Sequence, residues 1–114
     1  MLFANDDASR TRGLMHTEQI PDDHCALFVF PRIGDHSFWN DNVSYPLSVA
    51  FCDANNRVLA VRQMEAMSRE ACRANLPSVK YVVETSLGAM DGVGVGDRLV
   101  VDPETMTLIF ESPY

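Results

Sequence analysis

The chain reads as a mostly β, α+β domain: a small antiparallel barrel or closed sheet of six to eight short strands with two or three short helices. Three observations predict this. Short apolar stretches rich in β-branched and aromatic residues recur along the sequence. Asn, Asp, Pro and Gly close each of them. With 114 residues, 46% hydrophobic and 22% charged, the chain can form one core, so residues 1–114 are taken as a single domain.

Taken in order, Asp6 or Asp7 is placed to cap a short helix over Ala8–Met15, with Gly13 weakening its end. Pro21-Asp22-Asp23-His24 reads as a loop. Residues 25–30, Cys-Ala-Leu-Phe-Val-Phe, are apolar throughout, which suits a strand covered on both faces and stopped at Pro31. A turn over Arg32–Asp35 leads to a second strand at Ser37–Trp39. Tyr45-Pro46 forces extended or turn backbone.

Leu47–Asp53 forms the third strand, with Val49 and Phe51 on one face and Ala50 and Cys52 on the other. The turn Asp53-Ala54-Asn55-Asn56 returns the chain along Arg57–Met64, because Asn tolerates positive φ. Ser68 is placed to cap a helical turn over Arg69–Arg73. Val79–Glu84 is a further strand, and Leu87–Asp91 a further helical turn. Gly92, Gly94 and Gly96 punctuate the stretch before a last hairpin of Arg98–Val101 and Met106–Glu111. Its turn has Asp102 in the first position and Pro103 in the second, as a type I turn prefers.

Composition narrows the function classes. Sixteen acidic and nine basic side chains leave a net charge of -7, which works against nucleic-acid binding and against an anionic membrane surface. No apolar run approaches the ~20 residues a spanning helix needs. The acidic start Met1-Leu2-Phe3-Ala4-Asn5-Asp6-Asp7 lacks signal-peptide character, so the chain as given reads as cytoplasmic, or as exported if an upstream signal was trimmed. Cys25, Cys52 and Cys72 form no CxxC pair and read as free thiols in a reducing compartment.

No reaction is written in the residues. His16, His24 and His36 stand outside any metal motif, so no metal and no cofactor is expected. None of the serines sits in a GxSxG elbow, and Cys25 beside His24 has no third partner. Gly92-Val93-Gly94-Val95-Gly96-Asp97 imitates a phosphate loop, but a strand follows it rather than a helix. The most distinctive feature is Phe38-Trp39 and Tyr45-Pro46 bracketing the polar tract Asn40–Ser44: aromatics beside amides are the ingredients of a small-ligand pocket or a partner surface.

Several fragments, in this order, carry a family resemblance. They are Arg12-Gly13-Leu14-Met15, Leu27–Phe30, Phe38-Trp39 with Asn42, Pro46-Leu47, the Phe51-x-Asp53 strand end with Val58, Lys80–Glu84 and Gly96-Asp97. From about Asp6 to Val100 the chain resembles the prokaryotic domain-of-unknown-function family one-ninety-two, also called the uncharacterised ACR family, as a divergent member. The family pattern reads Arg-x-x-Gly-Leu-Met, Gly-Met-Leu-Phe-Val-Phe, Phe-Trp-Met-Lys-Asn-Thr, Pro-Leu-Asp, Tyr-x-Leu-Glu and Gly-Asp. Its first arginine falls at Thr11 or Arg12 depending on register, with Arg10 the other candidate. Cys25-Ala26 stands for Gly-Met, Asn40-Asp41 for Met-Lys, Val43 for Thr and Ser48 for Asp. The resemblance implies a compact β-rich fold and no particular activity.

Taken together, these features point to a non-enzymatic domain that binds an unidentified small molecule or protein through Arg12, Phe38, Trp39, Asn42 and Asp53. The alternative is a small enzyme in which Arg10 or Arg12 holds an anionic substrate while Asp53, Glu84 or Asp97 moves protons in a shared cleft. A third expectation is structural, with Arg12 tying strands together through a buried carboxylate.

Overall fold

A computed structural model describes residues 2–102 and 104–111. In chain order the elements are β1 (Leu2–Ala4), α1 (Asp7–Arg12), β2 (Ala26–Gly34), β3 (Ser37–Phe38), β4 (Leu47–Cys52), β5 (Val58–Met64), β6 (Cys72–Arg73), β7 (Val79–Ser86), β8 (Arg98–Val101) and β9 (Leu108–Glu111). Five of the strands make the main sheet in the order β1-β2-β7-β4-β5, while β3 pairs with β6 and β8 with β9.

The main sheet is open, with β1 and β5 at its edges, where the sequence suggested closure. All its pairings are antiparallel except β1–β2, which is parallel. The three residues of β1 pair as Leu2↔Ala26, Phe3↔Leu27 and Ala4↔Phe28, a long-range contact that nothing local in residues 2–4 announces.

The sheet forms because its inner strands are apolar on both faces. All six residues of β4 are buried. Leu47, Val49 and Phe51 enter one core with Phe28, Val82 and Leu14, while Ala50 and Cys52 enter the other with Cys25, Val83 and Leu99. The period-2 split read from the sequence is the split observed. Burying each Val, Leu or Phe side chain contributes about 1.5–3 kcal/mol. The first core is closed by the segments around Leu14, Ile20, Val43 and Tyr45, and the second by the β8–β9 hairpin with Met90 and Met106.

The β4–β5 hairpin turns as expected. Asp53 Oδ1 accepts from the amides of Asn55 at 2.8 Å and Arg57 at 3.0 Å. Asn56 takes a φ of 63°, the left-handed conformation that Asn tolerates. The β8–β9 hairpin also forms, with Arg98↔Glu111 at one end and Val101↔Leu108 at the other. The type I turn assigned to Asp102-Pro103 involves Pro103, which lies outside the described residues.

Other expectations are corrected. β2 does not stop at Pro31; it runs to Gly34. Its partner β7 shifts register there, from Val29↔Tyr81 to Gly34↔Val79, so Pro31 sits in a bulge where the ladder asks it for no N–H. One α-helix is found among the described residues rather than two or three, and it ends at Arg12, not Met15. Ser68 does receive the Glu70 amide at 3.2 Å, but Cys72-Arg73 then becomes β6, paired as Phe38↔Cys72 and Ser37↔Arg73. Tertiary pairing outweighs the local cap. Leu87–Asp91 forms successive turns, Ala89 N to Ser86 O and Asp91 N to Gly88 O, broken by positive φ at Gly88 and Gly92.

Candidate functional site

The first core face opens beside β2 into a cleft of about 410 Å³. Strand register builds its floor. Ala26 faces Glu84 and Phe28 faces Val82 across β2 and β7, so Phe28 and Glu84 project from the same face of the sheet. Phe38, delivered by β3, meets Phe28 edge-on at 5.0 Å, Phe30 at 5.7 Å and Phe51 at 6.3 Å between ring centroids. The T-shaped contacts favour a positive ring edge on a negative ring face.

α1 supplies one wall. Asp6 caps it reciprocally with Ser9: its Oδ1 accepts from the Ser9 amide at 2.7 Å. Those hydrogen bonds lower the Asp6 pKa. The cap holds Arg10 against the sheet, where Nη1 donates to Val29 O at 2.8 Å and Nη2 pairs with Asp7 at 2.6 Å. The Arg10 guanidinium also lies 5.6 Å from the Phe30 ring centroid, a cation–π approach. Gly13 follows with φ 50° and turns the chain over the Phe28 ring.

The opposite wall is the loop after β3. Asn40 is buried; its Nδ2 donates to Tyr45 O and to Glu65 O, both at 2.9 Å. Spending both N–H groups on carbonyls fixes the amide's orientation and leaves Oδ1 buried without a partner. Asp41 accepts from Arg69 Nε at 3.2 Å. Where the family pattern has a cation at position 41, this chain has an anion that draws in a cation from another loop. The His16 amide donates to Asn42 O at 3.0 Å, tying the two walls together.

Glu84 is the unusual member. It is 3% exposed, lines the cleft, and takes part in no ion pair or side-chain hydrogen bond among the described residues. Burial alone pushes its carboxyl up to about 8. A carboxylic acid in that range can hold its proton at neutral pH and exchange it on binding.

Arg12, Phe38 and Trp39 all line this cleft, Phe38 at its floor and Arg12 and Trp39 exposed at its rim. Asn42 and Asp53 do not line it. Asn42 adopts a φ of 59° and serves through its backbone carbonyl, and Asp53 is spent on the β4–β5 turn. Of the alternative Arg-plus-carboxylate set, Arg10, Arg12 and Glu84 share the cleft. Asp97 lies elsewhere, accepting from Gly94 N at 2.9 Å in the glycine turn before β8. Arg12 makes no ion pair among the described residues, so the expected structural tie to a buried carboxylate is not made.

The sequence reading missed Asn40 and the Asp41–Arg69 pair, which depend on loops meeting in space. Glu84 had a legible signal: it shares a strand face with buried Val82, an apolar position for a carboxylate. Elsewhere, Cys25 and Cys52 are buried free thiols held up to about 11 and about 12 by burial, and Cys72 is a half-buried one. His24 pairs with Asp23 at 2.7 Å, and His36 stacks on Phe30 at 3.7 Å. Among the described residues no three His, Cys, Asp or Glu side chains gather in a metal-holding group, and no helix is long and apolar enough to cross a membrane.

Some of the fragments behind the family resemblance meet here: Arg12 to Met15, Phe28, Phe30, Phe38-Trp39 and Glu84 line the cleft, whereas Pro46-Leu47, Asp53 and Gly96-Asp97 do not. Arg10, the other candidate for the first arginine of the family pattern, stands three residues before Gly13 and donates to Val29 O. Two solved structures share the fold. A proposed transcription regulator from Sinorhizobium meliloti 1021 is 27% identical, with a TM-score of 0.81 over 95% of this chain and 78% of that one. A protein of unknown function from Novosphingobium aromaticivorans DSM 12444 is 23% identical, with a TM-score of 0.78 over 84% of this chain and 70% of that one, and shows the fold alone. No curated protein matches the chain. The sequence pattern of DUF192, the uncharacterised ACR proteins, matches residues 1–101, and the chain belongs to that family.

Proposed function

We propose that this domain binds a small molecule in the cleft between α1 and the loop after β3, without transforming it. The observation that carries the reading is a buried carboxyl, Glu84, lining a cleft rich in aromatic rings without an ion-pair or side-chain hydrogen-bond partner among the described residues. Asn40 Oδ1 in the same lining is buried without a partner among the described residues; such a group costs about 1–3 kcal/mol, so a ligand that satisfies it gains what the free protein forgoes. Arg12 and Trp39 at the rim supply a cation without an ion pair among the described residues and an exposed ring. A concave site that mixes aromatic rings with convergent polar groups suits a small ligand better than a flat protein partner. The designation of the Sinorhizobium protein does not extend to nucleic-acid binding here, because a net charge of -7 opposes it.

The test is a fragment screen by ligand-observed NMR on the wild type, repeated on Trp39→Ala and Arg12→Ala. Both side chains are exposed, so the fold should survive their loss. Hits should lose affinity in one or both variants. Hits that bind both variants as well as the wild type would refute the reading.

One observation favours a second reading. A carboxyl raised to about 8 in a cleft with arginines can act as a general acid or base. Asp7 and Asp41, the cleft's other acids, are both engaged in ion pairs, which leaves no second group for the return proton. Recovery of bound fragments chemically unchanged after long incubation separates binding from catalysis.

A further inference from the structure

Two polar groups of the cleft lack a partner among the described residues, and both can accept hydrogen bonds. Asn40 Oδ1 is an acceptor, because both N–H donors of that amide are committed to carbonyls. Glu84 is an acceptor when ionised, and among the described residues no lysine, arginine or histidine pairs with it. Two of the nearby cations already face partners, Arg10 with Val29 O and Asp7 and Arg69 with Asp41. Around them stand Phe28, Phe30, Phe38 and Trp39. Aromatic rings beside a lone carboxylate form a surface that attracts a positive group with N–H donors and an apolar body.

We propose that the cleft takes an organic ammonium compound, its N–H groups received by the Glu84 carboxylate and Asn40 Oδ1 and its apolar body resting on the aromatic residues. This deepens the small-ligand reading and rests on it. When the ammonium pairs with Glu84, the proton that burial holds on the free carboxyl leaves to solvent, so the bound state is an ion pair. A carboxylate ligand would be drawn instead to Arg12, which makes no ion pair among the described residues and stands at the rim, and the anionic probe tests that alternative.

Three probes of one size separate the possibilities: 2-phenylethylammonium, the neutral 2-phenylethanol and the anionic 3-phenylpropanoate. Trp39 is the chain's single tryptophan and stands at the cleft rim, so its fluorescence reports occupancy. The ammonium should bind at least about tenfold tighter than the alcohol, and Glu84→Gln should remove that preference. Equal affinity for the three probes, or preference for the carboxylate, would overturn the ammonium proposal while leaving the cleft a ligand site. If no probe perturbs Trp39 and the fragment screen also finds no hits, both readings fall together.

Discussion

Replacing Glu84 with Gln should make the stability of this protein almost independent of pH between 5 and 8, where the wild type should weaken steadily. Burial raises the Glu84 carboxyl from 4.5 to about 8 in the folded state. Within that window the unfolded chain has released the proton and the folded chain keeps it. The folded state therefore binds more protons, and its stability falls as pH rises, levelling off above 8. At 1.36 kcal/mol for each pH unit, the whole window amounts to ~5 kcal/mol, of which ~3 kcal/mol is gone by pH 7. For a domain whose total stability is on the order of 5–15 kcal/mol, that slope is readily measured. Other shifted groups act outside the window. Asp6, lowered by its hydrogen bonds to Ser9, loses its contribution only as the solution becomes strongly acidic. Cys25 and Cys52, raised to about 11 and about 12, weaken the fold only in alkaline solution, where thiols of the unfolded chain ionise. Glutamine has nearly the shape of the protonated acid and cannot titrate. Urea unfolding followed by circular dichroism at several pH values gives both curves. The two proteins should agree within ~1 kcal/mol at pH 5, and the variant should be more stable by ~4 kcal/mol at pH 8. Parallel curves across the window would show that Glu84 is not held protonated by burial, and the account of the cleft floor would fail.

Three further outcomes are expected. With Ellman's reagent at pH 8, the native protein should expose one thiol, Cys72, while Cys25 and Cys52 react only after urea is added; two thiols reacting at one rate would contradict the burial. Phe51→Ala removes a fully buried ring at the junction with Phe38 and should cost about 3–5 kcal/mol in urea unfolding, and a loss below ~1 kcal/mol would show that the first core is not packed around it. Asn56 holds the β4–β5 turn at a φ of 63°, so Asn56→Ala should destabilise by about 1 kcal/mol and Asn56→Gly should not; equal effects would mean that left-handed backbone is not the constraint.

The sequence by itself determined the longer strands, β2, β4, β5 and β7, and for β4 the faces that it buries. Alternation along Leu47–Cys52 assigned Val49 and Phe51 to one core and Ala50 and Cys52 to the other, because successive side chains on a strand must point apart. Asp53 and Asn56 marked the hairpin because their side chain and backbone chemistry suit a turn without outside help. Phe38 and Trp39 were picked out as aromatics beside amides, and both line the cleft. Tertiary structure alone decided what lies between segments distant in sequence. The parallel docking of β1 on β2, the conversion of Cys72-Arg73 from a helical turn to a strand, and the open edge at β5 all depend on partners that local propensity does not name. So does the cleft. Glu84 is only one more residue of a strand until β2, α1 and the Asn40 loop close around it, and exclusion of water then changes its chemistry.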